Sequence, residues 1–312
     1  MGDTDGNEPR DFVARRELTR GRRLGTSPAP RTPRRPPAQR DGTPTSGAEA
    51  GPPERGLFDP TTITWRLHGD PLMGLAALRG LLLQALHPLA MAAVDAHNRS
   101  HWDPWLRLTR TSEYIGVTTY GTATEAMLAG SRLRAVHARV YGTTRQGRPY
   151  SAEDTFLLAW VHACLVASFL ELVTRGGLPL TPAEQDGYIA EQVRAAMLVG
   201  LEPDQVPHDR ASLVAYFRQL RPTLAVTPPA QAAALAVIHE GPARRRPGAP
   251  VPDRPAWAEV AGLAFATLPP WARRLYALPE PRGAAGLGEA AATVALRELR
   301  TALKAAQAPR PD

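Results

Sequence analysis

The chain has 312 residues, of which 43% are hydrophobic and 21% charged, a composition typical of a soluble globular protein with a well-buried core. Of the 37 basic residues only Lys304 is lysine, so 37 − 1 = 36 are arginines, and the net charge is +7. These arginines are interspersed with acids and accompany no zinc-finger, RRM or KH signature, so we predict no nucleic-acid partner. A single cysteine, Cys164, excludes an intramolecular disulfide and a cysteine-rich metal site.

Residues 1–55 are rich in proline, glycine and arginine, and we predict that they form a disordered tail. Paired arginines occur at 15–16 and 22–23, but no apolar segment follows either pair. The pattern therefore lacks the features of Sec and twin-arginine export signals, and we expect a cytoplasmic protein.

The rest of the chain predicts an all-α fold, a single large helical domain over residues 56–307 with roughly eight to eleven helices. A helix should begin at the capping-box pattern of Ser151 and Asp154, and another at Thr181–Pro182 that ends near Gly200. A Pro/Arg-rich segment, 240–257, is typical of an internal loop, and residues 308–312 should fray.

Two segments are apolar on most of their faces. The first runs from Leu72 to Val94 and is interrupted by His87 and Pro88, and the second is "FLLAWVHACLVASFLELV". The second falls slightly short of the roughly 20 residues that span a membrane. We therefore expect buried central helices, and leave peripheral contact with a membrane open.

The segment "RLTRT" places two arginines and two threonines directly after the first apolar stretch. On a helix, Arg107, Arg110 and Thr111 share one face. A buried arginine requires an anionic or oxygen-bearing partner, so these residues could line a pocket. Alternatively, the arginines pair at the surface with neighbouring acids, namely Asp95, Asp103 and Glu113.

Four histidines lie in or beside the apolar helices: His87, His97, His137 and His162. A lone histidine in such a helix can be a hydrogen-bonded core residue. His137 differs because it lies at the edge of an apolar stripe, where it could reach a pocket. No carboxylate-rich metal spacing surrounds it, but a haem needs only one axial histidine because the porphyrin supplies the other nitrogens. The sequence is thus compatible with haem.

Several ordered motifs resemble the MpaB-type oxygenases, the catalytic domain shared with the bacterial rubber oxygenase called latex-clearing protein. The matching segments are "LHPLAMAAVDAHNRSHWDPWLRLTRTSEYIGVTTYGTATEA", "RLRAVHARVYG", "RPYSAEDTFLLAWVHACLVASFLE", "YIAEQVRAAMLVGLEPDQVPHDRASLVAYF" and "LPPWARRLYALP". The resemblance covers roughly residues 57–280. It implies an all-α fold with a haem-sized pocket for haem b, and dioxygen as co-substrate.

The resemblance also implies roles for individual residues. The family's Arg-x-x-Lys-Thr segment corresponds to Arg107, Arg110 and Thr111, and the axial histidine downstream corresponds to His137, with His162 as the alternative. Arg107 and Thr111 are then expected on the distal side of the haem. Arg110 replaces a lysine that can approach the iron, a role that a permanently protonated guanidinium does not serve.

A second departure concerns the catalytic base. The family's carboxylate has no glutamate counterpart on the preceding helices, which offer Gln84, His87 and Asp95 instead. His87 has a suitable unperturbed pKa for a general base, and it is our candidate for that role.

These observations lead to a haem-dependent oxygenase acting on a small apolar substrate, unsaturated or terpenoid in character. One alternative is a non-catalytic helical protein that binds haem or lipid on the same scaffold. Another is non-haem iron held by His87, His97 and His137. The sequence defines no oligomeric state.

Overall fold

Helices make up nearly all the regular structure of the computed structural model, which describes residues 54–97, 104–239, 254–277 and 288–307. In chain order the elements are α1 (Ile63–His68), α2 (Met73–Gln84), α3 (Pro88–Ala96), α4 (Pro104–Tyr120), α5 (Ala123–His137), β1 (Tyr141–Thr143), β2 (Pro149–Ser151), α6 (Thr155–Arg175), α7 (Pro182–Leu198), α8 (Arg210–Leu220), α9 (Pro228–His239), α10 (Arg254–Ala266), α11 (Pro270–Tyr276) and α12 (Glu289–Gln307). The predicted all-α class is confirmed, with twelve α-helices in these ranges, one more than the upper end of the expected number.

Helices α2 and α6 form the centre of the domain, as the apolar character of both segments predicted. Ten consecutive residues of α2, from Leu75 to Gln84, are buried. Gly80 lets α6 approach closely, because a Cβ there would lie 2.9 Å from the Leu165 side chain. Among the described residues α6 alone is a single helix long and apolar enough to cross a membrane, and 67% of its apolar window is buried within the protein.

The first apolar stretch is two helices rather than one. Helix α2 ends at Gln84, and α3 begins after His87 at a bend of 103°. Pro88 occupies the first turn of α3, where a missing N–H costs nothing, and His87 caps the new helix with its side chain. The His87–Pro88 step thus ends α2, as the sequence predicted. Helix α3 then runs at a steep angle to the axis of α2.

Helices α4 and α5 form a helical hairpin joined by Gly121 and Thr122. A capping box starts α5, in which Glu125 and Thr122 each accept a hydrogen bond from the other's backbone N–H. Because the connection is so short, the two helices run in opposite directions. The first turns of α4, with Arg107, therefore lie beside the last turn of α5, with His137.

The start of α6 was predicted wrongly. Ser151 is the last residue of β2, which pairs antiparallel with β1, and Asp154 caps the helix through the Phe156 N–H. The predicted loop 240–257 is also too long, because α10 begins at Arg254. The predicted disordered tail, apart from residues 54–55, the frayed end 308–312 and loop residues 240–253 lie outside the described residues.

Candidate active site

Arg107 is held at the junction of three helices by one side-chain contact. Its Nη2 donates to Gln84 Oε1 at 2.9 Å, and the Gln84 Nε2 donates to the backbone carbonyl of Val161 at 3.1 Å. Gln84 is itself buried, so its amide has no freedom to turn away. Arg107 on α4 is thereby anchored to both central helices, α2 and α6.

The guanidinium of Arg107 has no anionic partner among the described residues. The hydrogen bond that it makes there goes to a neutral amide, and burial alone lowers its pKa. Of the acids considered as surface partners, Asp95 is exposed at the end of α3, and Asp103 lies outside the described residues. A partly buried cation bonded only to a neutral group retains its attraction for an anionic or strongly dipolar ligand.

A small recess opens next to this arginine. Its enclosed space is only about 10 Å³, enough for about one water molecule, and the roughly 270 Å³ between its walls includes open solvent. The lining consists of apolar residues of α2 and α3 with two polar residues at one side: Leu81, Ala85, Ala90, Met91 and Val94, then Gln84 and Arg107. It is smaller than the pockets of roughly 300–1,000 Å³ that enclose drug-sized ligands, and smaller than the haem-sized pocket expected from the sequence. The recess thus encloses no ligand-sized space, and what it places together is an apolar wall and the Arg107 cation.

His137 is the last residue of α5, and it lies close enough to Arg107 for the guanidinium charge to affect its pKa. Burial is the main cause of the lowered pKa of His137, the positive charge of Arg107 lowers it further, and Glu153 opposes the shift. Its Nδ1 is buried without a hydrogen-bond partner among the described residues. A neutral imidazole with an unused ring nitrogen is the form that ligates a metal.

Tyr114 was missed in the sequence analysis. Its hydroxyl, like the His137 Nδ1, is buried and lacks a partner within the described part of the chain, and burial raises its pKa to about 12. Tyr114 follows Arg107 by seven residues, two helical turns along the same face of α4. This spacing from Arg107 was the signal in the sequence that could have identified Tyr114. Besides the His137 Nδ1, the Tyr114 hydroxyl is a second polar group of α4 and α5 that no described residue satisfies.

Comparison with known proteins identifies a family for the chain. Residues 65–301 match the family described as "ER-bound oxygenase mpaB/B'/Rubber oxygenase, catalytic domain". The chain belongs to this family. The match covers α2 to α6 in full, including Arg107 and His137, and supports an oxygenase function in general.

Two curated relatives are similar to part of the chain. They are the uncharacterized proteins Mb2261 of Mycobacterium bovis and Rv2237 of Mycobacterium tuberculosis, each 27% identical over 116 residues. The match spans 37% of this chain and 46% of each relative, so the chain covers less than half of their length. No solved structure matches.

The family's Arg-x-x-Lys-Thr segment lies on α4, and its three matching positions have different surroundings. Arg107 and Thr111 are partly buried, whereas Arg110, at the lysine position, is exposed. One turn separates Arg107 from Thr111, which keeps both on the side of α4 that faces the protein. The substitution of lysine by Arg110 therefore falls at the solvent edge of the segment.

His87, our candidate base, has a structural task. It is buried, its Nδ1 accepts the Ala90 N–H at 3.4 Å as the cap of α3, and its ring packs against Phe156 and Trp160. Burial and the positive charge of Arg148 lower its pKa to about 4, against a smaller opposing effect of Asp154. A base with so low a pKa is weak at neutral pH.

His162 and His97 do not join His137 in a cluster. Burial lowers the pKa of His162, on α6, to about 4, so its imidazole is neutral at physiological pH. The Nδ1 of His97 donates to the Ala93 carbonyl at 3.1 Å, and its ring lies against Tyr150. Within the described ranges no group of three or more His, Cys, Asp or Glu side chains could hold a metal ion, so the non-haem iron site of His87, His97 and His137 finds no support.

Proposed function

We propose that the chain is a haem b-dependent oxygenase that uses dioxygen to oxidise a small apolar molecule, unsaturated or terpenoid in character. The observation that carries this proposal is the proximity of Arg107, on α4, to His137, the last residue of α5. Among the described residues Arg107 has no anionic partner, and His137 is a neutral imidazole whose buried Nδ1 has no hydrogen-bond partner.

The donor chemistry of these residues fits a haem. His137 would hold the iron, with His162 as the alternative, and Arg107 would hold an anionic or dipolar group. A bound haem supplies the redox chemistry that activates dioxygen. The chain's own contribution is to orient Arg107 through Gln84, to offer the Thr111 hydroxyl, and to exclude water with the apolar walls of α2 and α3.

An absorption spectrum of the purified protein, followed by a pyridine haemochrome assay, tests the cofactor. We expect a Soret band and one haem b per chain after expression with a haem precursor. His137→Ala should lose the haem, while His208→Ala, at an exposed position, should keep it. A protein without haem would overturn the proposal, and full occupancy in His137→Ala would overturn the ligand assignment.

The alternative is a haem- or lipid-binding protein that carries out no reaction. One observation favours it, because no carboxylate of the described residues lines the recess beside Arg107, and Asp95, the acid on α3, is exposed. The proposed base His87 is weak as well. Oxygen uptake with isoprenoids and unsaturated fatty acids separates the two functions, since binding alone consumes no oxygen.

A further inference from the structure

The hydroxyl of Tyr114 has no function within the described fold. The residue lies on α4, two turns beyond Arg107, and its oxygen is buried without a hydrogen-bond partner among the described residues. Buried tyrosine hydroxyls normally have a partner, because removing an O–H group from water without replacing its hydrogen bonds costs stability. The Tyr114 hydroxyl is therefore a donor that a ligand can use.

Other buried tyrosines of the chain show the normal pattern. Tyr276 donates to a backbone carbonyl of α2 at 2.6 Å, and the Tyr188 hydroxyl is bonded to a histidine ring of α1 at 3.1 Å. Tyr216 is a second exception, with a buried hydroxyl that no described residue satisfies. It lies on α8, where burial and, to a smaller extent, Cys164 raise its pKa. Tyr114 differs from Tyr216 because it shares α4 with the candidate site.

The hydroxyl of Tyr114 is directed toward the ends of α4 and α5 that carry Arg107 and His137. Side chains on a helix lean toward its N-terminus, so Tyr114 leans toward the turn of Thr111. On the antiparallel helix α5, the positive charge of Arg134 acts on Tyr114. Arg134 precedes His137 by three residues, about one turn of α5. The Tyr114 hydroxyl thus belongs to the part of the helix pair next to His137.

The charge that acts on this hydroxyl is positive. Burial is the main cause that raises the pKa of Tyr114 to about 12, and Arg134 opposes the shift. The Arg134 guanidinium donates to the backbone carbonyl of Leu198, a neutral group, and forms no ion pair with a described residue. An O–H donor beside an uncompensated cation favours an anionic acceptor, because hydrogen bonds to ionised groups are the stronger ones.

We propose that the Tyr114 hydroxyl donates a hydrogen bond to a carboxylate of a ligand bound beside Arg107. Seven residues of α4 separate Tyr114 from Arg107, about 10 Å along the helix axis, so the ligand must be extended.

Two kinds of molecule carry a carboxylate on an apolar body of that length. One is a substrate such as an unsaturated fatty acid. The other is haem b, which has two carboxylates at its edge, and this second source rests on the proposed function. Both present the same chemistry to Tyr114, and binding measurements with masked carboxylates separate them.

Pairs of acid and ester test the proposal with the full chain. The first pair is oleic acid and methyl oleate, titrated into haem-free protein and followed by tryptophan fluorescence. The second is haem and its dimethyl ester, in which both carboxylates are masked. In one pair Tyr114→Phe should lower the affinity for the acid by at least about tenfold and that for the ester by less than about threefold. The pair that responds identifies the source of the carboxylate.

Tyr216→Phe is the matched control, because it removes the other buried tyrosine hydroxyl that no described residue satisfies. It should bind all four compounds as the parent does. Haem-free Tyr114→Phe and Tyr216→Phe should both resist urea at least as well as the parent, because neither loses a hydrogen bond of the described fold. An affinity that only Tyr114→Phe loses is then an effect on the ligand and not on folding.

The possible outcomes separate this proposal from the proposed function. Unchanged affinity of Tyr114→Phe for both acids would overturn the carboxylate contact, as would equal losses for acid and ester or a loss shared by Tyr216→Phe. A parent protein that takes up no haem would overturn the proposed function instead. The oleate pair would then decide alone whether Tyr114 binds a carboxylate.

Discussion

Arg79 and Arg107 are both bonded to neutral groups, but they differ in how fully the protein uses their donors. Arg79 on α2 is 3% exposed, and it donates from Nε to the Thr267 carbonyl and from Nη1 to Ser168 Oγ. Arg107 is partly buried and bonds, among the described residues, to Gln84. The first ties α2 to α6 and to the end of α10, whereas the second has donors that no described residue uses.

His68 and His137 differ in the same way, in how many of their ring nitrogens are hydrogen-bonded. His68 is bonded on both ring nitrogens, to the Thr119 hydroxyl at 2.8 Å and to the Tyr188 hydroxyl at 3.1 Å. His137 has a buried nitrogen that no described residue satisfies. A polar group whose bonds are complete stabilises the fold, while one whose bonds are incomplete costs stability unless a ligand completes them.

Arg79→Ala should give the largest loss of stability. It leaves the Ser168 hydroxyl and the Thr267 carbonyl without their partner and opens a cavity, which together cost about 3 kcal/mol in the free energy of unfolding. Urea denaturation measures the loss. Arg66→Ala, which removes a surface ion pair with Glu184, should cost at most about 1 kcal/mol. Equal losses of unfolding free energy in both variants would show that the hydrogen bonds of Arg79 stabilise the core no more than a surface ion pair does.

Arg107→Ala should affect function far more than stability. Loss of the positioned cation should lower oxygen uptake by roughly a hundredfold, the effect of removing one electrostatic donor from an active site. The free energy of unfolding should change by only about 1 kcal/mol, the worth of one hydrogen bond. A variant that unfolds readily but retains its specific activity would show that Arg107, like Arg79, stabilises the fold and has no role in the reaction.

Gln84→Glu tests whether the missing negative charge matters. The carboxylate that this substitution introduces would pair with Arg107 and neutralise it, so oxygen uptake should fall by about tenfold, while the lost donation to the Val161 carbonyl should cost about 1 kcal/mol of stability. Gln84→Leu is the companion variant, because it removes the contact and leaves the charge of Arg107 uncompensated. If Gln84→Glu is as active as the parent, the uncompensated charge of Arg107 has no role in the reaction.

The fully bonded histidine, His68, should contribute to the dependence of stability on pH. Burial lowers the pKa of His68 to about 3, below its value of 6.5 in the unfolded chain. Between these pH values the unfolded state binds more protons, so stability falls as the pH falls through this window. His68→Gln should reduce the slope by at most about 1.4 kcal/mol per pH unit. An unchanged slope down to about pH 3, measured by urea denaturation at several pH values, would contradict the assigned shift.

The sequence predicted the elements whose signals are local. Thr181 and Pro182 start α7 as expected, and Gly200 ends the turn after it with φ of 95°, a conformation that favours glycine. The end of α2 at the His87–Pro88 step was predicted from an equally local signal. The start of α6 was missed because Ser151 and Asp154 both offer an N-cap, and pairing of Ser151 with Tyr141 in the hairpin decides between them.

The candidate site depended on contacts that no local pattern encodes. Gln84 and Arg107 are 23 residues apart, and the Gln84 amide also requires the carbonyl of Val161 on a third helix. The family resemblance selected Arg107 and His137, but it gave no reason for Gln84 to be buried or for Tyr114 to matter. Both follow from how α2, α4 and α6 pack.

The 103° bend between α2 and α3 has a consequence for altering this protein. One wall of the recess belongs to the helix before the corner and the other to the helix after it, so the angle sets the width between them. Substitutions at the ring contacts of His87, such as Phe156, would change that angle without touching any lining residue. The width of the recess can then be adjusted from outside it, with the polar residues beside the opening left as they are.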